Sequence, residues 1–120
     1  MEYYVELKLR EDAHNGWFSN GLTLCGSEST RNLTKISEND NKIVYENQKG
    51  HLVTLNRIKR SNVLEVSTSF KNNASETATL EMISSFAIRG IKADKIHRLQ
   101  SFWSAEGKLR TETIFDLNLE

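Results

Sequence analysis

The chain of 120 residues has no proline, one cysteine and six glycines, and its sixteen Lys and Arg offset sixteen Asp and Glu. Each scarcity excludes something. Cys25 has no second cysteine with which to close an internal disulfide, and structural zinc normally takes four Cys or His ligands in paired spacing. The fold therefore rests on its core, and the composition suits a reducing compartment. With no proline and few glycines there is no flexible linker, and nothing repeats at a fixed period. Zero net charge gives no global field to gather nucleic acid or anionic lipid, so any binding is local. No apolar run is long enough to span a membrane, and the charges in Met1-Glu2-Tyr3-Tyr4-Val5-Glu6-Leu7-Lys8-Leu9-Arg10 fall where a signal peptide needs an unbroken apolar stretch. The expectation is one soluble, cytoplasmic domain spanning residues 1–120.

What is present is period two. Tyr3, Val5, Leu7 and Leu9 alternate with Tyr4, Glu6, Lys8 and Arg10, the pattern of a half-buried strand. Turn chemistry follows at residues 11–16 and at Asn20-Gly21, before a short strand expected over Leu22-Thr23-Leu24-Cys25. Further strands are expected at Ile43 to Tyr45, His51 to Ile58 and Val63 to Phe70, separated by turns at Lys49-Gly50 and Ser61-Asn62. After a loop at residues 71–76, Ala78, Leu80, Met82, Ser84, Phe86 and Ile88 alternate along the longest apolar segment. Leu109, Thr111, Thr113, Phe115, Leu117 and Leu119 do the same. Two segments also fit helical spacing, one through Leu80, Ile83, Ser84 and Ala87, the other through Ile96, Leu99, Phe102 and Trp103; periodicity alone leaves both open. Turn signals about every ten residues point to an all-β fold, a sandwich or a barrel.

Motifs for nucleotide phosphate, zinc hydrolysis and dinucleotide binding are absent, and His14, His51 and His97 lack metal-ligand spacing, so no metal and no cofactor is assigned. Arg57-Ile58-Lys59-Arg60 reads as a solvated strand end in a neutral chain. Cys25 reads as a buried small hydrophobe rather than a nucleophile. Asn32-Leu33-Thr34 and Asn73-Ala74-Ser75 match the glycosylation pattern, which matters only in a secreted protein.

Three stretches carry a resemblance. Asp12-Ala13-His14-Asn15-Gly16-Trp17-Phe18-Ser19-Asn20-Gly21-Leu22-Thr23-Leu24, followed by Ser27-Glu28-Ser29, is similar to a D-A-Y-x-G-x-F-x-x-G-x-T-M-R-N-S-E-S pattern. Phe70-Lys71-Asn72-Asn73-Ala74-Ser75 running into Thr79-Leu80-Glu81-Met82-Ile83-Ser84-Ser85-Phe86 is similar to a strand, loop and strand of the same domain. His97-Arg98-Leu99-Gln100-Ser101-Phe102-Trp103-Ser104-Ala105-Glu106-Gly107-Lys108-Leu109 is similar to H-R-L-R-S-x-W-S-A-E-G-x-L. Taken in order from Val5 to Leu119, they resemble the N-terminal domain of glycoside hydrolase family 36 α-galactosidases.

The resemblance implies an antiparallel β-sandwich, part of a larger galactose mutarotase-like supersandwich. In the family that sandwich precedes a (β/α)₈ barrel holding two catalytic aspartates. Retaining hydrolysis needs a nucleophilic and an acid/base carboxylate about 5 Å apart, so a chain without the barrel is expected to be no enzyme by itself. The family's tetramers imply a homo-oligomer, and an α-galactoside or related carbohydrate as the ligand of the parent enzyme. The stretch resembling residues 12–25 then implies a loop lent to a neighbour's sugar site. Asp12 would accept hydrogen bonds from sugar hydroxyls, and Trp17 or Phe18 would pack on the apolar face of a pyranose. The plainer reading is a turn aspartate followed by core aromatics. Cys25-Gly26 stands where the pattern has Arg-Asn, and His14 where it has Tyr; the loss of an arginine removes a multidentate donor. The connection from Gly90-Ile91 to His97-Arg98 is shorter than in many relatives. Trp103, Glu106, Gly107 and Arg98 are expected to be structural: a core ring, a turn and an ion pair. The alternative from another class is a free-standing carbohydrate-binding β-sandwich using Trp17, Phe18 and Asp12, and a further one is a purely structural remnant.

Overall fold

The computed structural model describes residues 2–13, 24–100 and 107–113, and the chain divides into two compact units, Glu2–Arg89 and the part from Gly90 onward. The fold is all-β, and among the described residues every strand pair is antiparallel.

The first unit contains strands β1 (Glu2–Tyr4) and β2 (Leu7–Leu9), helix α1 (Glu28–Arg31), then β3 (Thr34–Asn39), β4 (Lys42–Glu46), β5 (His51–Arg60), β6 (Val63–Asn72), β7 (Leu80–Ile83) and β8 (Ala87–Arg89). Strands β3 to β6 form one four-stranded meander in sequence order. Its inner face is written by alternation: Ile43 and Tyr45 of β4 stand opposite Leu55 and Val53 of β5, and Val53 stands opposite Phe70 of β6. Tight turns set that register. Gly50 (φ +85) opens β5, and Ser61 (φ +54) sits in the two-residue turn between β5 and β6.

Against this face lies the ribbon made by β1 with β8 and β2 with β7. Val5, Leu7 and Leu9 join Ile43, Tyr45, Val53 and Leu55 in one buried cluster, with Tyr3, Val66, Phe70, Ala78 and Ile83 packed around it. Each fully buried aliphatic side chain contributes roughly 1.5–3 kcal/mol.

The ribbon departs from the sequence expectation in three ways. The opening strand is broken at Val5-Glu6, where the Ser84 side chain replaces a ladder carbonyl. Glu6 N–H donates to Ser84 Oγ at 2.8 Å and Ser84 N–H donates to Glu6 O at 2.9 Å. Next, the segment expected to alternate from Ala78 to Ile88 is two short strands, not one strand and not a helix. A bulge falls at Glu81, since Lys8 pairs with Met82 and Leu9 with Leu80. Ile83 packs on the core while Leu80 is exposed. Finally, the second face of β2 is buried too: Lys8 is 1% exposed and donates to Glu81 Oε2 and to the carbonyl of Asp12 at 2.8 Å.

Of the strand expected at residues 22–25, Leu22 and Thr23 lie outside the described residues, and Leu24 and Cys25 belong to no strand; Cys25, expected to be buried, is exposed on the segment leading into α1. β3 was not expected; its six residues are all exposed, so no burial pattern marks it.

The second unit contains β9 (Lys95–Gln100) and β10 (Lys108–Thr113), paired as a hairpin. The helical alternative for its first arm is overturned, because residues 95–100 spend their backbone groups on a cross-strand ladder from Lys95 opposite Thr113 to Gln100 opposite Lys108. Among the described residues no helix is long and apolar enough to cross a membrane.

Candidate functional site

The buried polar groups of the first unit concentrate where β2 meets α1. Asp12 closes the turn that follows β2: its N–H donates to Leu9 O at 3.1 Å and its Oδ2 accepts Leu9 N–H at 3.0 Å. The same oxygen accepts Ser29 N–H at 3.3 Å. Ser27 is the N-cap of α1, its Oγ accepting Thr30 N–H at 3.1 Å and donating to Leu7 O. Thr30 Oγ1 accepts Leu7 N–H at 2.8 Å, with Leu7 O and Glu6 Oε2 both 3.0 Å away to share its proton. Glu6 Oε2 also accepts the N–H of Gly26, a residue held at φ +64. Four side chains, those of Glu6, Asp12, Ser27 and Thr30, thereby fasten the start of α1 to β2 and the turn after it.

Asp12 is 5% exposed, and burial is the strongest single influence on its carboxyl, pushing the pKa up. The hydrogen bonds from the Ser29 hydroxyl, the Leu9 N–H and the Ser29 N–H, with the charge of Lys49, outweigh that, and the pKa falls below the ordinary aspartate value. The Asp12 carboxyl is therefore ionised at neutral pH.

Beside this clamp opens a polar cleft of about 450 Å³ walled by Asp12, Glu28, Arg31, Asn47, Gln48 and Lys49. That volume lies in the roughly 300–1,000 Å³ range of small-ligand sites. The far wall is the β4–β5 turn, which is built on Asn47. Its Oδ1 accepts the N–H groups of Lys49 and His51, both at 3.0 Å, and its Nδ2 faces His51 Nδ1 at 3.0 Å. With the amide oriented by those two acceptor bonds, Nδ1 of His51 must accept, placing the ring proton on Nε2. His51 is 4% exposed and its ring lies 5.2 Å from that of Phe70. The cleft therefore offers a carboxylate, a guanidinium, amides and an ammonium on a rigid frame.

Of the sequence-derived sugar residues, Asp12 is at this cleft, while Trp17 and Phe18 lie outside the described residues. Trp103 and Glu106 lie outside them as well. Gly107 has φ +70 and donates its N–H to Gln100 O at 3.0 Å, closing the hairpin. Arg98 pairs with Glu112 on the facing strand, Nε to Oε2 at 2.7 Å and Nη2 to Oε1 at 3.0 Å. His97 Nδ1 lies 2.8 Å from Thr111 Oγ1. The basic cluster at residues 57–60 is divided: Arg57 is drawn inward, its guanidinium 5.4 Å from the Tyr3 ring centre and its Nη2 donating to Asn39 O, while Lys59 and Arg60 are exposed. Among the described residues no group of three or more His, Cys, Asp or Glu side chains is placed to hold a metal.

Sequence reasoning missed Glu28, Arg31, Gln48 and Lys49 as cleft walls. The Ser27-Glu28-Ser29 motif and the Lys49-Gly50 turn marked both segments, but nothing in a one-dimensional pattern places one beside the other. Comparison with protein-family models, curated proteins and solved structures finds no match for the chain.

Proposed function

We propose that the chain is a non-catalytic, carbohydrate-associated β-sandwich domain, acting as the N-terminal domain of an α-galactosidase-like glycoside hydrolase. One observation supports this above others: Asp12 and Ser29, at the two ends of the first resembling stretch, are hydrogen-bonded to each other. The two ends of that stretch are thereby held together at one point. The departure at Cys25-Gly26 is compatible in its backbone, since position 26 has φ +64 and both Gly and the pattern's Asn tolerate that region. At position 25 the arginine's donors are lost, which points to a ligand held differently from a terminal galactose.

The test replaces the N-terminal domain of a family 36 α-galactosidase with this chain. A soluble, assembled and active chimera supports the reading; one that folds in both parts yet fails to assemble refutes it. The isolated chain is expected to give no turnover of a chromogenic α-galactoside, and turnover that co-purifies with it would remove the non-catalytic assignment.

The polar cleft favours a second reading, a free-standing carbohydrate-binding module. Titration with galactose and raffinose separates the two. Saturable binding by the isolated monomer selects the second.

A further inference from the structure

The two edges of the four-stranded sheet are unlike. β3 has a bulge between Lys35 and Ser37, and it carries Lys35 and Glu38, joined at 2.5 Å. Bulges and charges are the usual protection of an edge strand against pairing with another chain. β6 has an unbroken ten-residue register with β5 and no bulge, and among the described residues it pairs with no other strand.

Which of its backbone groups face outward follows from the ladder. Asn73 N–H donates to Gly50 O at 2.9 Å, and Arg57 N–H turns away from β6 to Asn41 O at 2.7 Å. Odd-numbered residues of β6 therefore bond to β5, and the N–H and C=O groups of Leu64, Val66, Thr68, Phe70 and Asn72 point off the sheet. The outward row is also self-complementary. Placing a second β6 antiparallel about a dyad through Thr68 sets Glu65 opposite Lys71, Val66 opposite Phe70 and Ser67 opposite Ser69. Each contact occurs twice. Opposite charges meet, half-buried apolar groups meet, and the core faces of both copies stay on one side of a continuous sheet.

We propose that the β6 edge is a homodimer interface, its partner being β6 of a second copy of this chain. The dyad-related Glu65 and Lys71 pairs select the register, and the outward N–H and C=O groups supply the bonding. The proposal is independent of any carbohydrate role, because β6 lies outside the cleft walls.

The experiment is sedimentation equilibrium of the whole chain with Glu65→Lys, Lys71→Glu and the double exchange. Both side chains are exposed, so the monomer fold should persist, as checked by circular dichroism and thermal midpoint. Each single exchange places like charges opposite one another twice and should weaken self-association about tenfold. The double exchange should restore it. An equimolar mixture of the two single variants should form heterodimers more tightly than either forms homodimers. Amide hydrogen exchange should protect Leu64, Val66, Thr68 and Phe70 only in the dimer. A wild type that stays monomeric to about 1 mM overturns the proposal. So does a dimer indifferent to the charge exchanges, and so does protection of those amides in the monomer, which would assign the edge to another segment of the same chain.

Discussion

The Asp12 carboxylate accepts the backbone N–H of Ser29 at 3.3 Å, 17 positions further along the chain, with the same oxygen that caps Leu9 N–H at 3.0 Å. One atom therefore joins the end of β2 to the first turn of α1. Asp12→Ala leaves both donors buried without an acceptor and should cost about 2–4 kcal/mol in urea unfolding, whereas Asp12→Asn, which keeps one acceptor oxygen, should cost less. A loss below about 0.5 kcal/mol for the alanine variant would show that the clamp does not hold the fold together.

The same carboxylate gives stability a defined acid limb. Its folded pKa is lowered, so below the ordinary range the unfolded chain binds a proton that the native chain resists. The contribution is complete above about pH 4, the unfolded aspartate value, and is lost as pH falls through the lower folded value. Unfolding free energy measured between about pH 2 and 6 should fall less steeply in Asp12→Asn than in the wild type.

Lys8 and Glu81 should behave as a coupled pair. Lys8 is almost fully buried while the Glu81 side chain is 39% exposed. Glu81→Ala strands an ammonium against the carbonyls of Leu9 and Asp12 and should cost about 1–3 kcal/mol. Adding Lys8→Met removes the stranded charge and should recover part of that loss. A double-mutant cycle should give a coupling of at least about 1 kcal/mol; additive losses would contradict the pairing.

Two glycines distinguish backbone cost from packing cost. Gly50 has φ +85, and a Cβ there would meet the backbone of Ala74 at 3.3 Å; Gly107 has φ +70, and among the described residues nothing lies within 4 Å of a Cβ there. Gly50→Ala should therefore destabilise by about 2–3 kcal/mol and Gly107→Ala by about 1–2 kcal/mol, the cost of the left-handed backbone alone. Thermal unfolding followed by circular dichroism checks the order, and a reversed order would contradict it.

Strands β4, β5 and β6 are legible from the sequence because each puts one face on the core, so Ile43, Tyr45, Val53, Leu55, Val66 and Phe70 recur at period two between turns with glycine or serine in the left-handed region. β3 was missed because an exposed edge strand buries nothing and so imposes no pattern. α1 was missed because four residues make only one turn, too short for periodicity to register. Lys8 was assigned to solvent because alternation supposes one wet face, and here Glu81 and the turn at Asp12 cover the second.

At the candidate site, Asp12 and the Ser27-Glu28-Ser29 motif were visible as separate features. Their junction was not, nor was the wall supplied by Gln48 and Lys49. Hydrogen bonds between segments depend on where two backbones meet, and that is set by burial of Val5, Leu7 and Leu9 against β4 and β5.

The absences noted at the outset, of proline, of a second cysteine and of net charge, follow from composition alone, and so do the all-β class and the phase of its central strands, since local sterics and period-two burial are properties of the chain read in order. Tertiary structure alone decided that Asp12 caps two amides rather than facing solvent, that Lys8 is buried, and that β3 is a bulged edge while β6, among the described residues, pairs only with β5. Those outcomes depend on which groups lose access to water when distant segments pack together, and the resulting need for each buried donor and charge to find a partner is met across the fold, not along the sequence.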